Sequence, residues 1–393
     1  MNSSRFERTF VLPHLEIVDI VKKKGIWRFF LKTQRRPMVC LRCASICKKI
    51  YDQRNIKLRD EKIRNFHVIL HVQKKRYWCK SCKRPQTETL DGVLPGKRTT
   101  QRYKRWIMKL CESYSCLEDV RREAKCSKDF VYKAYYEQLD LESRKRRNPW
   151  PKVIGIDEHS FKRRRGYGGT EFASMIVDHK NKKVIEVVEG KTTAALDHSL
   201  AYIPGASNVE VATLDMCDSF RGFVKKHFPN AQIVADKFHV LRLLNHSINR
   251  VRKEITGDRR TLRVRRLLMR SRKNLSYEDK RELDCFLSYH PRLEELYEWK
   301  ERLHSFYRVR GYFRAKEAFL FMLDEMSRSR SPEIIRLRKT LQKWNVEILN
   351  YFKHRYTNAR VEGFNNVAKT IKKRGYGFRS FKNYRLRVLN ACF

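Results

Sequence analysis

Between residues 152 and 240 the chain sets short apolar runs and amphipathic stretches in an order that leaves few folds open. KVIGID, EFASMIVD and KKVIEVVEG read as three strands, with GYGG and HKNK as the turns between them. TTAALDHSLAYI then has a helical period, VEVATLD is a fourth strand, SFRGFVKKHF a second helix and AQIVADKFHV a fifth strand. Three antiparallel strands in a meander, then two parallel strands joined by helical crossovers, make one mixed sheet with helices packed on it.

The order βββαβαβ is that of an RNase H-like core. Around it the chain divides into further parts. Residues 1–95 alternate as mixed strand, and residues 96–140 carry three amphipathic helices. Residues 141–151, LESRKRRNPWP, form a charged run closed by two prolines that reads as a linker. The core occupies 152–393, interrupted by an all-helical insertion over about 241–350. The fold class expected is multidomain, α+β and α/β: a zinc ribbon, a helix-turn-helix, and a mixed-sheet catalytic core.

Charge then narrows the partner. Lys and Arg number 89 against 43 Asp and Glu, a formal net charge of +46 over 393 residues. Self-repulsion of that size calls for a polyanion. Aromatics interleave with the basic residues, which excludes a disordered basic arm. Double-stranded DNA is the expected partner, because neutralising phosphates releases counterions. An anionic membrane surface competes, but no strongly apolar amphipathic segment supports it, and no apolar run reaches the length of a membrane span. The N-terminus lacks a signal-peptide layout, so a cytoplasmic, nucleoid-associated protein is expected. Its 11 cysteines are then thiols or metal ligands rather than a disulfide framework.

Four of them stand as Cys40-Leu-Arg-Cys43 and Cys79-Lys-Ser-Cys82. Each pair lets two thiolates converge from one tight turn, and two such turns complete a closed tetrahedral site for structural Zn²⁺. Buried apolar thiols are the plainer reading. Cys47 is an alternative ligand, and His67 and His71 read as core or surface histidines. In LEDVRREAKCSKDFVYKAYYEQL, Leu117, Val120 and Ala124 point one way and Phe130, Val131 and Tyr135 follow. As a helix-turn-helix this would turn Ser127, Lys128, Asp129 and Lys133 toward a major groove; an ordinary helical hairpin would look the same.

Three acids carry the expected chemistry: Asp157 and Asp215, each ending a strand-like run, and Glu362 at the start of a late helix. Phosphoryl transfer on DNA needs an activated oxygen and a stabilised leaving oxygen, which two Mg²⁺ or Mn²⁺ ions about 3.5–4 Å apart supply. With the first strand beside the fourth, Asp157 would bridge both ions, Asp215 would bind one and Glu362 the other. Each acid also has an ordinary reading, as a solvated turn, a helix cap or a first-turn helix acid. Asp236 follows a buried run too and rivals Asp215; with His239 it is otherwise a substrate-orienting or supporting group. Glu362, Asn365 or Asn366, Lys369 and Lys373 recur at helical spacing, and Arg374 extends them into a basic track for a phosphate backbone.

These motifs together resemble the DDE transposases of bacterial insertion sequences, of the ISL-three type. CLRC and CKSC, IGIDEHSF, LDMCDSF, PNAQIVADKFHV and VEGFNNVAKTIKKRGYGFRSFKNYRLRVL carry the resemblance, which covers nearly the whole chain. It implies Mg²⁺ or Mn²⁺ as cofactor and the element's terminal inverted repeats as the DNA bound. It also implies strand cleavage and transfer into target DNA, with Asp157, Asp215 and Glu362 at the DDE positions. A homo-oligomer, a dimer in a synaptic complex, is expected. The basic FKRRRGYGG after the first motif departs from the pattern. Two alternatives stay open: an inactive transposase-derived DNA-binding regulator, and another RNase H-like nuclease.

Overall fold

A computed structural model describes residues 12, 14–34, 36–146, 148–163, 169–257 and 263–393. The chain forms two compact units, Met1–Gln138 and Leu139–Phe393. Residues 1–11 and 13, the start of the stretch expected to alternate as mixed strand, and part of FKRRRGYGG (164–168) lie outside the described residues.

In the first unit, β1 (Leu15–Lys23), β2 (Ile26–Thr33), β6 (Phe66–Cys79) and β5 (Ile50–Ile63) form a sheet in that order, with β7 (Arg84–Thr87) also on β6. β2 and β6 run parallel and the other pairs antiparallel. The long β5–β6 hairpin turns through Arg64 and Asn65, both left-handed at φ 46° and 67°, which suits the right-handed twist of the paired strands. Alternate residues Leu58, Val68, Leu70 and Val72 pack with Phe29 and Leu31 as the sheet's core. A short hairpin, β3 (Met38–Val39) with β4 (Ile46–Cys47), is a separate two-stranded sheet packed against Tyr77 and Cys79 of β6.

Helix α1 (Gln101–Ser113) starts at Thr100, whose hydroxyl accepts from Tyr103 N and donates to the buried Asp60 of β5 at 2.6 Å. Arg102 pairs with the same carboxylate. α2 (Leu117–Ala124) ends on a left-handed Lys125, and the Tyr103 hydroxyl donates to Ala124 O at 2.9 Å. α3 runs Lys128–Lys145, so the first five residues of the stretch read as a linker are helical. Ion pairs Asp140–Arg144 and Glu142–Arg146, each at i,i+4, continue the helix that far. Trp150, from the end of that stretch, is buried edge-on against Phe228, and its N–H donates to Pro204 O.

The second unit is built on one mixed sheet in the order β10 (Lys183–Glu189), β9 (Thr170–Asp178), β8 (Val153–Arg163), β11 (Val211–Leu214), β12 (Gln232–Ala235). β8, β9 and β10 are an antiparallel meander; β8, β11 and β12 are parallel. This is the strand order the sequence pattern predicts. Ile154, Ile156, Ile176 and Val188 face a core shared with α4 (Thr193–Leu200), α5 (Asp218–His227) and the helices beyond β12. Met175, Val177 and Val187 face the opposite way, against α14 (Ala359–Arg374) and α15 (Phe381–Ala391). Between β12 and α14 come α6 (Lys237–Arg242), α7 (Asn245–Thr256), α8 (Arg263–Met269), α9 (Tyr277–Ser288), α10 (Pro291–Phe306), α11 (Tyr312–Ser327), α12 (Pro332–Lys343) and α13 (Asn345–His354). The last returns to the sheet, where Asn350 donates to Ile233 O of β12.

Two strand assignments change. β12 stops at Ala235, because Asp236 N-caps α6 by accepting from His239 N; DKFHV is therefore helical, not strand. β8 runs to Arg163, which places Asp157 inside the strand rather than at its end. Among the described residues no helix is long and apolar enough to cross a membrane.

α14 packs tightly over Gly155 of β8. A Cβ there would lie 2.5 Å from Val361 Cγ2 and 2.6 Å from His179 Nε2. Gly155→Ala is therefore expected to destabilise the chain by about 1–3 kcal/mol through overpacking, read as a lower urea midpoint. An unchanged midpoint would show that α14 docks more loosely than drawn.

Candidate active site and metal centres

The parallel pairing of β8 with β11 runs from Val211 opposite Val153 to Leu214 opposite Ile156. The next residue on each strand is an aspartate, so Asp157 and Asp215 emerge side by side where the ladder ends. One carboxylate oxygen from each and a ring nitrogen of His239 all lie within 4.8 Å of one another. Both acids are about nine-tenths buried. Burial, then a hydrogen bond with Asp215 and its charge, pushes the Asp157 carboxyl up to about 8 against the pull of the Glu158 N–H and His239. Burial alone would lower His239. The hydrogen bonds and charges of Asp215 and Asp236 outweigh it and raise the imidazole to about 10, so His239 is a cation here. Its Nδ1 is 3.0 Å from an oxygen of each.

Asp236 is committed elsewhere. Its Oδ1 accepts from Asn358 N at 2.9 Å and its Oδ2 from His239 N at 3.3 Å, and only 2% of it is exposed. Asp215 does not cap α5: Cys217 holds that position without a side-chain bond. Of the two rivals, Asp215 is the one that faces Asp157.

The start of α14 grips this pair. Asn358 donates through Nδ2 to Ile156 O at 2.9 Å and to Asp215 Oδ1 at 3.4 Å, and accepts from Thr213. Two turns on, Asn365 Nδ2 donates to Asp157 Oδ2 at 2.8 Å. Asn365 was expected on DNA; it is 2% exposed, and its amide is used on Asp157 and His159. With its Nδ2 on a carboxylate, Asn365 offers Oδ1 to His159 Nδ1, 2.8 Å away, which must carry the proton. His159 Nε2 then accepts from the Tyr384 hydroxyl of α15 at 2.5 Å. A directed chain thus runs Tyr384→His159→Asn365→Asp157, while Glu158 N donates to the other Asp157 oxygen at 2.7 Å.

Glu362 sits on the same stripe of α14, about 40° around the helix from Asn358 and about 60° from Asn365. It is exposed, and its oxygens are not part of the close group. Asn366, Lys369, Lys373 and Arg374 are exposed on α14 as well. In the first unit, Ser127 accepts from Phe130 N at the start of α3, and Lys128 and Lys133 are exposed, near the Tyr132 ring and Glu137.

The second constellation is Cys40, Cys43, Cys79 and Cys82, whose sulfurs lie within 4.8 Å of one another. The β3–β4 and β6–β7 hairpins each carry one pair at their turn. Ala44 and Lys83, just past each pair, are left-handed, which closes the turns tightly enough for both thiols to point inward. Cys40 and Cys82 sulfurs are 3.8 Å apart, and Cys43 and Cys79 3.5 Å. A tetrahedron of metal–sulfur bonds of about 2.3 Å has edges of about 3.8 Å, so four thiols at these spacings can hold an ion. Hydrogen bonding between Cys43 and Ser45 lowers the Cys43 thiol to about 6. Cys47 is outside the group; burial raises its thiol to about 11.

A family model described as a transposase, of the DDE class and ISL3 type, matches residues 154–388. That is more than half of the chain, and the chain belongs to this family. Over 375 residues it is 25% identical to the transposase for insertion sequence element IS1001 of Bordetella parapertussis, covering 92% of this chain and 90% of that one. Over 258 residues it is 24% identical to the transposase for insertion sequence element IS1557 of Mycobacterium tuberculosis, covering 58% and 57%. DNA transposition is the activity that family membership carries.

Asn358, His159 and Tyr384 were not singled out from sequence; Asn358 alone left a signal, at the opening of a helix. Burial lowers His159 to about 4. Nitrogen-15 NMR is therefore expected to show His159 neutral, with its proton on Nδ1, at pH 7 and still at pH 5. An imidazolium at pH 6, or a proton on Nε2, would break the directed chain.

Proposed function

We propose that this chain cuts and joins DNA at the ends of an insertion sequence. The observation that carries the reading is the meeting of Asp157 and Asp215 at the end of the β8–β11 pairing. The mixed sheet with its two parallel strands is read as an RNase H-like core. The cysteine knuckles, read as a structural zinc site, and α2–α3, read as a helix-turn-helix, would bind the terminal repeats, with Ser127, Lys128 and Lys133 toward DNA.

The carboxylates fit a divalent cation. Two buried acids in contact cannot both ionise without a positive charge, and here a proton on Asp157 and the His239 imidazolium supply it. Asp157, Asp215 and Glu362 offer hard oxygens of the kind Mg²⁺ or Mn²⁺ takes. Bound there, the ions would supply Lewis-acid stabilisation of the entering and leaving oxygens. Asn365 and the Glu158 N–H hold Asp157 in one orientation, and Asn358 does the same for Asp215. Asn366, Lys369, Lys373 and Arg374 line the approach for the phosphate backbone. In the first step a water oxygen bonds to the phosphorus and the strand leaves as a 3′-OH. In the second that 3′ oxygen attacks a target phosphodiester, whose own 3′ oxygen leaves. A dimer would hold both element ends.

Asp157→Ala and Asp215→Ala are expected to lower cleavage and strand transfer on a terminal-repeat substrate by at least about a thousandfold while leaving repeat binding unchanged. Glu362→Ala should do the same if its carboxylate swings in when metal binds. Full cleavage by the Asp157 or Asp215 variant would sink the two-carboxylate reading, and full cleavage by the Glu362 variant would remove that residue alone.

Because the proton on Asp157 must leave before a cation can use both oxygens, Mn²⁺ affinity should rise with pH and level off above about 8. Calorimetry at pH 7 in buffers of different ionisation enthalpy should register about one proton released per chain on binding. Affinity flat from pH 6 to 8 would contradict the raised Asp157.

A further inference from the structure

We infer that Tyr376 is a stacking platform for an unpaired base of the DNA strand that α14 tracks. α14 ends at Arg374, and the chain turns through Gly375-Tyr376-Gly377 before α15. The turn is pinned on both sides. Gly375 N donates to Ile371 O at 3.0 Å, Tyr376 N to Lys373 O at 3.1 Å and Gly377 N to Lys372 O at 2.9 Å. Phe378 anchors the far side with its ring edge-on to Tyr384 at 5.4 Å. A Cβ on Gly375 would press on that ring at 3.1 Å, which leaves the first turn residue little choice.

Held this way, Tyr376 sits at φ 52°, left-handed, and is 90% exposed. That backbone is unfavourable for any residue with a Cβ. Burial of the ring offsets none of that cost, since the ring is in solvent. A large aromatic on a strained, rigid turn calls for an occupant outside the fold.

The surroundings select which occupant. From residue 363 to 393 the chain has eight Lys or Arg and no Asp or Glu. Lys373, Arg374 and Arg379 stand within three residues of the tyrosine in sequence and are exposed, while Lys372 donates to Ser160 O and Phe161 O. A polyanion suits the cations, and a flat π-face suits the ring; a nucleotide joins both. In a duplex the base faces are already stacked, so the ring's partner is an unpaired or unstacked base. Twelve helical residues at about 1.5 Å each put Arg374 about 18 Å along the helix axis from Glu362, with Tyr376 in the turn just beyond it. At about 3.4 Å per nucleotide along one strand, the stacked base lies about six steps from the reacting phosphate.

This rests on the reading of the chain as a DNA enzyme but not on its carboxylates, so it is tested by binding alone. Fluorescence anisotropy of the full-length chain without Mg²⁺ compares a blunt duplex with the same duplex carrying a single-stranded tail. The tailed duplex is expected to bind about tenfold more tightly. Tyr376→Ala should bring that ratio to about one, Tyr376→Phe should keep it, and Asp157→Ala should keep it too. A 2-aminopurine in the tail should be quenched by the wild type and not by Tyr376→Ala. No tail preference in the wild type, a ratio untouched by Tyr376→Ala, or equal weakening of both duplexes would each overturn the proposal.

Discussion

Ionised together, Asp157 and Asp215 would repel each other across the end of the β8–β11 ladder, and much of the second unit serves to hold them there. Two carboxylates in a site nine-tenths buried lose solvation and gain like-charge repulsion together. The fold meets that cost with a retained proton, the His239 imidazolium and donors aimed at both Asp157 oxygens and at Asp215 Oδ1. Asp236 takes part without competing: it caps α6 and so fixes His239 where Asp215 can reach it. Asp236, the rival to Asp215, is in this geometry a partner of the His239 imidazole.

The donors come from α14, and the apolar face beneath that helix sets where they stand. Val361 and Ala368 are buried in the same cluster as Met175, Val177 and Val187, and Gly155 leaves room for Val361. Asn358 and Asn365 lie two turns apart, so docking this one stripe delivers one amide to each aspartate. α15 adds the last constraint through Tyr384 and His159. Packing and polar positioning are thus a single event: α14 cannot slide along the sheet without both amides leaving their carboxylates.

Local patterns were legible and long-range pairings were not. The three-strand meander and the two crossovers show in the period of the apolar residues, and the paired cysteines show in their spacing. Asp157 and Asp215 could be singled out because each closes an apolar run. The stripe on α14 was visible too, but spacing alone does not decide which of two neighbouring asparagines turns inward; the packing of Val361 and Ala368 turns Asn365 under and leaves Asn366 out. IVADKFHV read as continuous strand because its apolar residues alternate, and the capping aspartate outweighs that alternation. His159 and Tyr384 lie 225 residues apart. Nothing in either neighbourhood announces the other, and a buried histidine is more often a packing residue than part of a chain of donors.

α14 also organises the charge. Its N-terminal end, where backbone N–H groups are unpaired and the macrodipole is positive, lies at the acids; Asn358 N donating to Asp236 is one such group put to use. Its C-terminal end, where the dipole is negative, carries Lys372, Lys373 and Arg374. At 16 residues and about 1.5 Å each it is about 24 Å long, the length of about seven nucleotide steps of one strand. A net charge of +46 attracts DNA without direction. A helix with its acids at one end and an acid-free cationic surface at the other gives that attraction a direction. On the function proposed, phosphates held by the far end would draw the strand along the helix, and the one reaching the carboxylates would meet the part of α14 that repels it without a bound cation.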